Sequence, residues 1–243
     1  VAKSPPDGYT LVFSATASTQ NPALFRNMPF DPVKDVRPVA KIGEGAYVVM
    51  INPKLPVNNL TSLVDYARKN PGKLNGASGG TGTQLSIELF KFQNDLQIEV
   101  IPYSGTGPAS LAVLRGEADL GIMDTSAVVE NLITGAIKPL AVAGDKRLPS
   151  LPNVPTTAEA GLPKYKAGTI FGLYAQGRTP DDITLKLNRA MNQALAMPDV
   201  IEALRKLGVE TDPQTPEAFA KQIHEEIALW KDIVAKAKIP PLD

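Results

Sequence analysis

The sequence predicts an α/β protein, and three observations carry that expectation. Strand-like and helix-like segments alternate along most of the chain, the pattern of a mostly parallel sheet covered on both faces. Two of the strand-to-helix turns are rich in glycine, Ser78-Gly79-Gly80-Thr81-Gly82-Thr83 and Tyr103-Ser104-Gly105-Thr106-Gly107. With 243 residues, 43% of them hydrophobic, the chain can bury one large or two modest cores.

Taken in order, DGYTLVFSA reads as a turn into a strand, Leu11, Val12 and Phe13 preceding the hydroxyl residues Ser14, Thr16, Ser18 and Thr19. VRPVAKI and AYVVMIN are two strand-like stretches separated by Gly43 and Gly45, with Pro53 and Pro56 ending the second. Asn59 caps a helix whose Leu60, Leu63, Val64 and Ala67 share one face before Pro71 and Gly72 stop it. LNGAS is a strand, the first glycine loop follows, and QLSIELFKF then places Leu85, Leu89 and Phe92 on a helical stripe. IEVIPY, the second loop and ASLAVLRG repeat that unit, with Pro108 suited to a first helical position. ADLGIMD and IKPLAVAG are short strands flanking a helix from Thr125 to Thr134. DKRLPSLPNVPTTAEAGLP is a proline-rich surface excursion with one short helix at Thr156 to Ala160, after which AGTIFGLYA returns to strand. Helices from Pro180 to Met197, Pro198 to Leu207 and Pro216 to Ala237 close the chain. In the last, Phe219, Ile223, Ile227, Trp230 and Val234 form one apolar stripe.

Composition removes several function classes. Lys+Arg and Asp+Glu both number 25, so no net charge draws the chain to nucleic acid or anionic lipid. The absence of cysteine excludes disulfides, thiolate metal sites and cysteine nucleophiles. The single histidine, His224, stands beside Glu225 and Glu226, but Ala228 occupies the place where a zinc helix needs its second histidine. No metal, cofactor or catalytic group is expected. No apolar run approaches the roughly 18 residues of a spanning helix.

The glycine loops are the most informative local feature. Glycines let backbone N–H groups converge, and each following helix presents its positive end to an anion. No Lys-Ser or Lys-Thr follows the first loop, so it is not a nucleotide P-loop, and Leu85 stands where a dinucleotide fingerprint needs its third glycine. From the residues alone, Ser78, Gly79, Gly80, Thr81, Gly82 and Thr83 read either as an anion site or as a tight turn, and Gly105 and Thr106 repeat the choice. Asp124 ends a strand at the edge where ligands of open α/β sheets gather, and reads equally as a helix N-cap.

The succession DGYTL, QNPALF, MPFDPVKDVRPVA, INPKLP, PGKLNGASGGTGT, IPYSGTGPA, GEADLGIMD, LAVAGDKRLPSLPNVPTTAEAGLP, IFGLYA and RTPDDITLKLN resembles the Bug or TctC family, the periplasmic solute receptors of tripartite tricarboxylate transporters. The resemblance runs from Asp7 to the C-terminus. It implies a type II periplasmic-binding-protein fold, two lobes with a cleft that closes like a flytrap. Domain 1 is then 1–50 with 168–243, domain 2 is 51–167, and the crossings fall near Ile51 and Gly168. The family binds an organic carboxylate, hands it to a membrane permease and performs no chemistry.

Position by position, the resemblance puts the carboxylate on Ser78 to Thr83, with Gly105, Thr106 and Asp124 beside it. Ser14, Thr16 and Ser18 then line the opposite wall, and Thr169 and Phe171 follow the return crossing. Gly76, Thr81 and Ile170 depart from a frequent aromatic, Asn and Trp, which leaves the ligand's identity open. Family members also carry a β-α-β unit of about 50 residues before the segment that here opens at Val1, so the resemblance implies an N-terminally truncated or processed chain. Domain 1 should then have an incomplete sheet and an edge open to dimerisation or strand exchange. Two other classes fit the loops: a periplasmic sensor addressing a signalling partner, and an enzyme holding a phosphorylated substrate.

Overall fold

A computed structural model of the chain describes residues 1–125 and 128–241, apart from the Ala17 side chain. In chain order the elements are β1 (Val12–Ser14), α1 (Ala17–Leu24), β2 (Val36–Ala46), β3 (Val48–Ile51), α2 (Leu60–Lys69), β4 (Leu74–Ser78), α3 (Thr81–Asn94), β5 (Ile98–Pro102), α4 (Thr106–Arg115), β6 (Leu120–Met123), α5 (Val129–Ile133), β7 (Lys138–Val142), β8 (Gly168–Gln176), α6 (Asp181–Leu195), α7 (Pro198–Lys206), β9 (Val209–Thr211) and α8 (Pro216–Lys236). They divide into two compact units. Unit 1 holds Val1–Glu44, Ile170–Arg205 and Val209–Asp243, and unit 2 holds Gly45–Thr169 with Lys206–Gly208. The first passage therefore lies at Glu44 and Gly45 instead of near Ile51, because β3 pairs inside the unit 2 sheet.

The unit 2 sheet has the order β5-β4-β6-β3-β7. β4 runs parallel to β5 and β6, whereas β3 is antiparallel to both β6 and β7. β5, β4, β6 and β7 therefore run one way, mostly parallel as expected, and β3 alone opposes them and makes the sheet mixed: it enters from the other unit and has no crossover helix to turn it round. Val48, Met50, Ala77, Val113 and Met123 meet in its core. α2 forms as its sequence directs, since Asn59 and Ser62 complete a capping box and Leu60, Leu63, Val64 and Ala67 are buried. In α3 the buried stripe includes Leu85, Leu89 and Phe90, while Phe92 is 49% exposed, one helical step off the face assigned to it.

Two short helices differ from their expected form. α5 begins at Val129 with Val128 as its N-cap, so Asp124 does not cap it; Ser126 and Ala127 lie outside the described residues. The expected helix at Thr156 to Ala160 is a turn, in which Thr156 and Glu159 exchange side-chain bonds with each other's backbone N–H and Arg147 donates to Glu159. Thr156 also bridges to Val142, and that β-like pairing stops a helix from forming. At the second loop, α4 starts at Thr106, which puts Pro108 at the third helical position, still within the turn that needs no N–H.

The unit 1 sheet has the order β1-β8-β2-β9, with β1 and β8 antiparallel. β2 runs unbroken through Gly43 and Gly45, so the two strand-like stretches read before Pro53 meet at Tyr47 and not at the glycines. Gly43 is required because a Cβ there would collide with the Glu210 carbonyl of β9. α8 covers one face: Phe219, Ile223 and Ile227 pack with Ile170 and Tyr174, and Trp230 and Val234 are buried as their spacing predicts. On the other face Leu187 and Met191 of α6 pack against Val39, Ala40 and Ala175.

A charged cluster joins β2, the chain after β9 and α8. The Lys41 side chain is 1% exposed, and its ammonium donates to Glu44 Oε1 at 2.6 Å, to Asp212 Oδ2 and to Gln222 Oε1 at 2.9 Å. The Lys41 bond holds the Asp212 carboxyl below its usual range. Glu226 moves the other way: burial pushes its carboxyl up, against the bond from Trp230 Nε1. The fold therefore favours protonated Glu226, a contribution fully present below the unfolded carboxylate pKa and lost as pH rises through the raised folded value. Glu226→Gln, which keeps an acceptor for Trp230, should melt about 1–2 °C above the parent at pH 8, the order expected of a half-exposed charge. Melting curves between pH 4 and 8 check this, with the difference shrinking towards pH 4.

Candidate functional site

The parallel register of unit 2 builds the site. Ser78 of β4 pairs with Pro102 of β5, so both strands end at one level and both glycine loops leave the same sheet edge. Tyr103 N donates to Ser78 O at 2.7 Å and ties the loops together. Gly79 brings them into contact, since a Cβ on it would stand 2.5 Å from Thr106 N and 2.6 Å from Gly105 C. β6 is parallel to β4 and carries half-buried Asp124 to the same edge.

The loop hydroxyls brace the loop itself. Thr83 Oγ1 accepts from Gly79 N at 2.8 Å and donates to Gly80 O at 2.9 Å, with Ser78 Oγ 3.2 Å away. Both hydroxyl residues are buried. Sequence reasoning could not see this inward use, because a Ser or Thr in a loop serves a ligand and a backbone equally well.

What remains for a ligand is main chain together with the half-buried Thr81 and Thr106. α3 and α4 have glycine N-caps, Gly80 at φ 152° and Gly105 at φ 151°, a region open to glycine, and neither helix has a side-chain cap. The N–H groups of Thr81, Gly82, Thr106 and Gly107 find no acceptor among the described residues. Two helix ends side by side, each with its partial positive charge, form a concave donor set for an anion. Neither loop contains Lys or Arg, so the positive potential comes from the backbone. That suits a carboxylate better than a more highly charged phosphate.

Thr169 of unit 2 is buried on β8. The other four expected residues belong to unit 1. Ser14 Oγ donates to Ala15 O at 3.1 Å, and Ser18 Oγ lies 2.9 Å from Tyr174 Oη. Thr16 is buried at the head of α1, where its carbonyl accepts from Thr19 and Gln20. Phe171 stacks on Phe13 with centroids 5.9 Å apart.

Unit 1 also contains a cavity of about 460 Å³ that the sequence did not announce. Lys3, Ser14, Ser18, Asn21 and Tyr174 supply its polar lining, with Val12 and Phe30 among the apolar walls. Burial pushes the Tyr174 hydroxyl up to about 12, so it stays a neutral donor or acceptor. The hydroxyl-rich run Ser14 to Thr19 was the only sequence signal for this place; Tyr174 lay too far along the chain to be linked to it.

A family model described as the tripartite tricarboxylate transporter family receptor, TctC, matches residues 1–239. Protein BugT of Bordetella pertussis (strain Tohama I) is 33% identical over 237 residues, which is 96% of this chain and 73% of BugT. The structure of R. palustris Rpa4515 with adipate is similar with a TM-score of 0.94 at 33% identity, covering 100% of this chain and 82% of that one. MatC (Rpa3494) from Rhodopseudomonas palustris with bound malate gives 0.89 at 32% identity, covering 96% and 82%. Among the described residues no helix is long and apolar enough to cross a membrane.

Proposed function

The chain belongs to the tripartite tricarboxylate transporter receptor family, and from that premise we propose that it is a periplasmic receptor for a small organic carboxylate. One carboxylate oxygen pair is held by the unpartnered N–H groups of Thr81, Gly82, Thr106 and Gly107, within the set Ser78 to Thr83, Gly105 and Thr106. The observation that carries this reading is the contact of two uncapped helix ends on one sheet edge, enforced by Gly79. The carboxylates in the two similar structures, adipate and malate, support the ligand class. Asp124, Thr169 and, from unit 1, Ser14, Thr16, Ser18 and Phe171 contact the rest of the ligand and set its identity. Delivery to a membrane permease completes the proposal, with the passages between units as the segments that move when ligand binds.

Isothermal titration with adipate, malate, citrate and inorganic phosphate tests it. One carboxylate should bind with one-to-one stoichiometry, and chelator should leave the affinity unchanged. Binding of phosphate alone, or affinity that depends on a divalent metal, would overturn the reading.

A further inference from the structure

The Lys41 cluster lies where the chain changes unit. Glu44 is the last residue of unit 1 before the first passage, and Asp212 follows the return at Val209 by three residues. All the strands beside the passages, β8, β2 and β9, are neighbours in one sheet. β9 is an edge strand of three residues, too short for its ladder to hold it firmly. Gly43 lets the Glu210 carbonyl come close, and Lys41 draws in Asp212 just beyond.

The ammonium has three hydrogens and three acceptors, so its burial leaves no donor unmet. Asp212 and Glu44 are about half exposed, and α8 supplies the third acceptor through Gln222, whose Nε2 also donates to Glu44 Oε1 at 2.8 Å. An apolar side chain of similar volume commonly stabilises a fold as well as a buried ion pair does, whereas the charged arrangement accepts only one geometry. The cluster is therefore suited to fixing position more than to adding stability.

We propose that Lys41 is a positioning residue that fixes β9 against β2 and so sets how the chain passes between the two units. The consequence for ligand binding rests on the receptor reading above; the consequence for the free chain does not.

The chain contains no cysteine, so Lys69→Cys and Lys186→Cys place one spin label on an exposed position of each unit. Double electron–electron resonance then gives the distance distribution without ligand and with adipate as the probe. Adding Lys41→Met should broaden the ligand-free distribution about twofold and weaken adipate binding about tenfold. Ile227→Val trims the same unit's core without touching the cluster and should leave both unchanged. If Lys41→Met does not fold, Asp212→Ala removes one half-exposed acceptor outright and should broaden the distribution in the same sense.

An unchanged ligand-free width in whichever folded variant is measured overturns the proposal, because a merely stabilising cluster would lower the melting temperature and leave the width alone. Failure of the parent to bind adipate or malate counts against the receptor reading, and the ligand-free width still decides the role of Lys41.

Discussion

Gly79→Val is expected to abolish carboxylate binding while the far-UV circular dichroism stays that of the parent. The new Cβ would stand 2.5 Å from Thr106 N and 2.6 Å from Gly105 C, both main-chain atoms, so the two loops must move apart. Each charge-assisted hydrogen bond lost with them is worth about 1.5–3 kcal/mol. Losing two gives roughly 3–6 kcal/mol, a hundredfold or greater fall in affinity. The loops lie at the sheet edge and only Tyr103 of them packs against the buried cluster of Val48, Met50 and Ala77, so the fold should survive. Titration of the variant with the carboxylate the parent binds best checks this. Retained affinity would remove the paired helix ends as the anchoring site.

Phe219→Ala should produce the largest loss of stability. Phe219 is fully buried on α8, its ring centroid is 5.5 Å from that of Tyr174, and it fills the space that Gly172 leaves open on β8. Truncating a buried Phe costs about 3–5 kcal/mol, transfer and cavity terms together. For a chain of this size that lowers the melting temperature by about 10 °C. The damage should be confined to unit 1, which contains Phe219 and all its core partners. Hydrogen exchange at β8 and α8 should quicken while β4 and β5 keep parent rates. Equal acceleration in both units would show that they unfold as one.

Much of this architecture was legible in the residues, and the unread parts share a cause. α2 and α8 follow from local signals: a cap, a stop and an apolar face whose members are in fact buried. The two strand–loop–helix units were readable because glycines marked their turns. The direction of β3 was not readable, because it depends on where its partners come from, and Val48–Ile51 looks the same either way. The turn at Thr156 depends on a bridge to Val142 and on Arg147, none of which has a local sign. At the candidate site, the sequence marked the two glycine loops that the sheet brings to one edge, but not the inward use of Thr83, nor the closeness of Gly79 to Thr106. Lys41 gave no sign at all, since its acceptors lie up to 181 residues away.

Because the donors on the unit 2 edge are peptide N–H groups, the proposed anchor would be inherited with the fold and not with any particular side chain. Residues 81 and 106 can drift in identity without erasing it, provided glycine persists where the backbone demands it. In the proposed receptor, new substrates can thus arise by altering what surrounds a fixed handhold. Adaptation would then change the preference of the pocket without having to reinvent its grip.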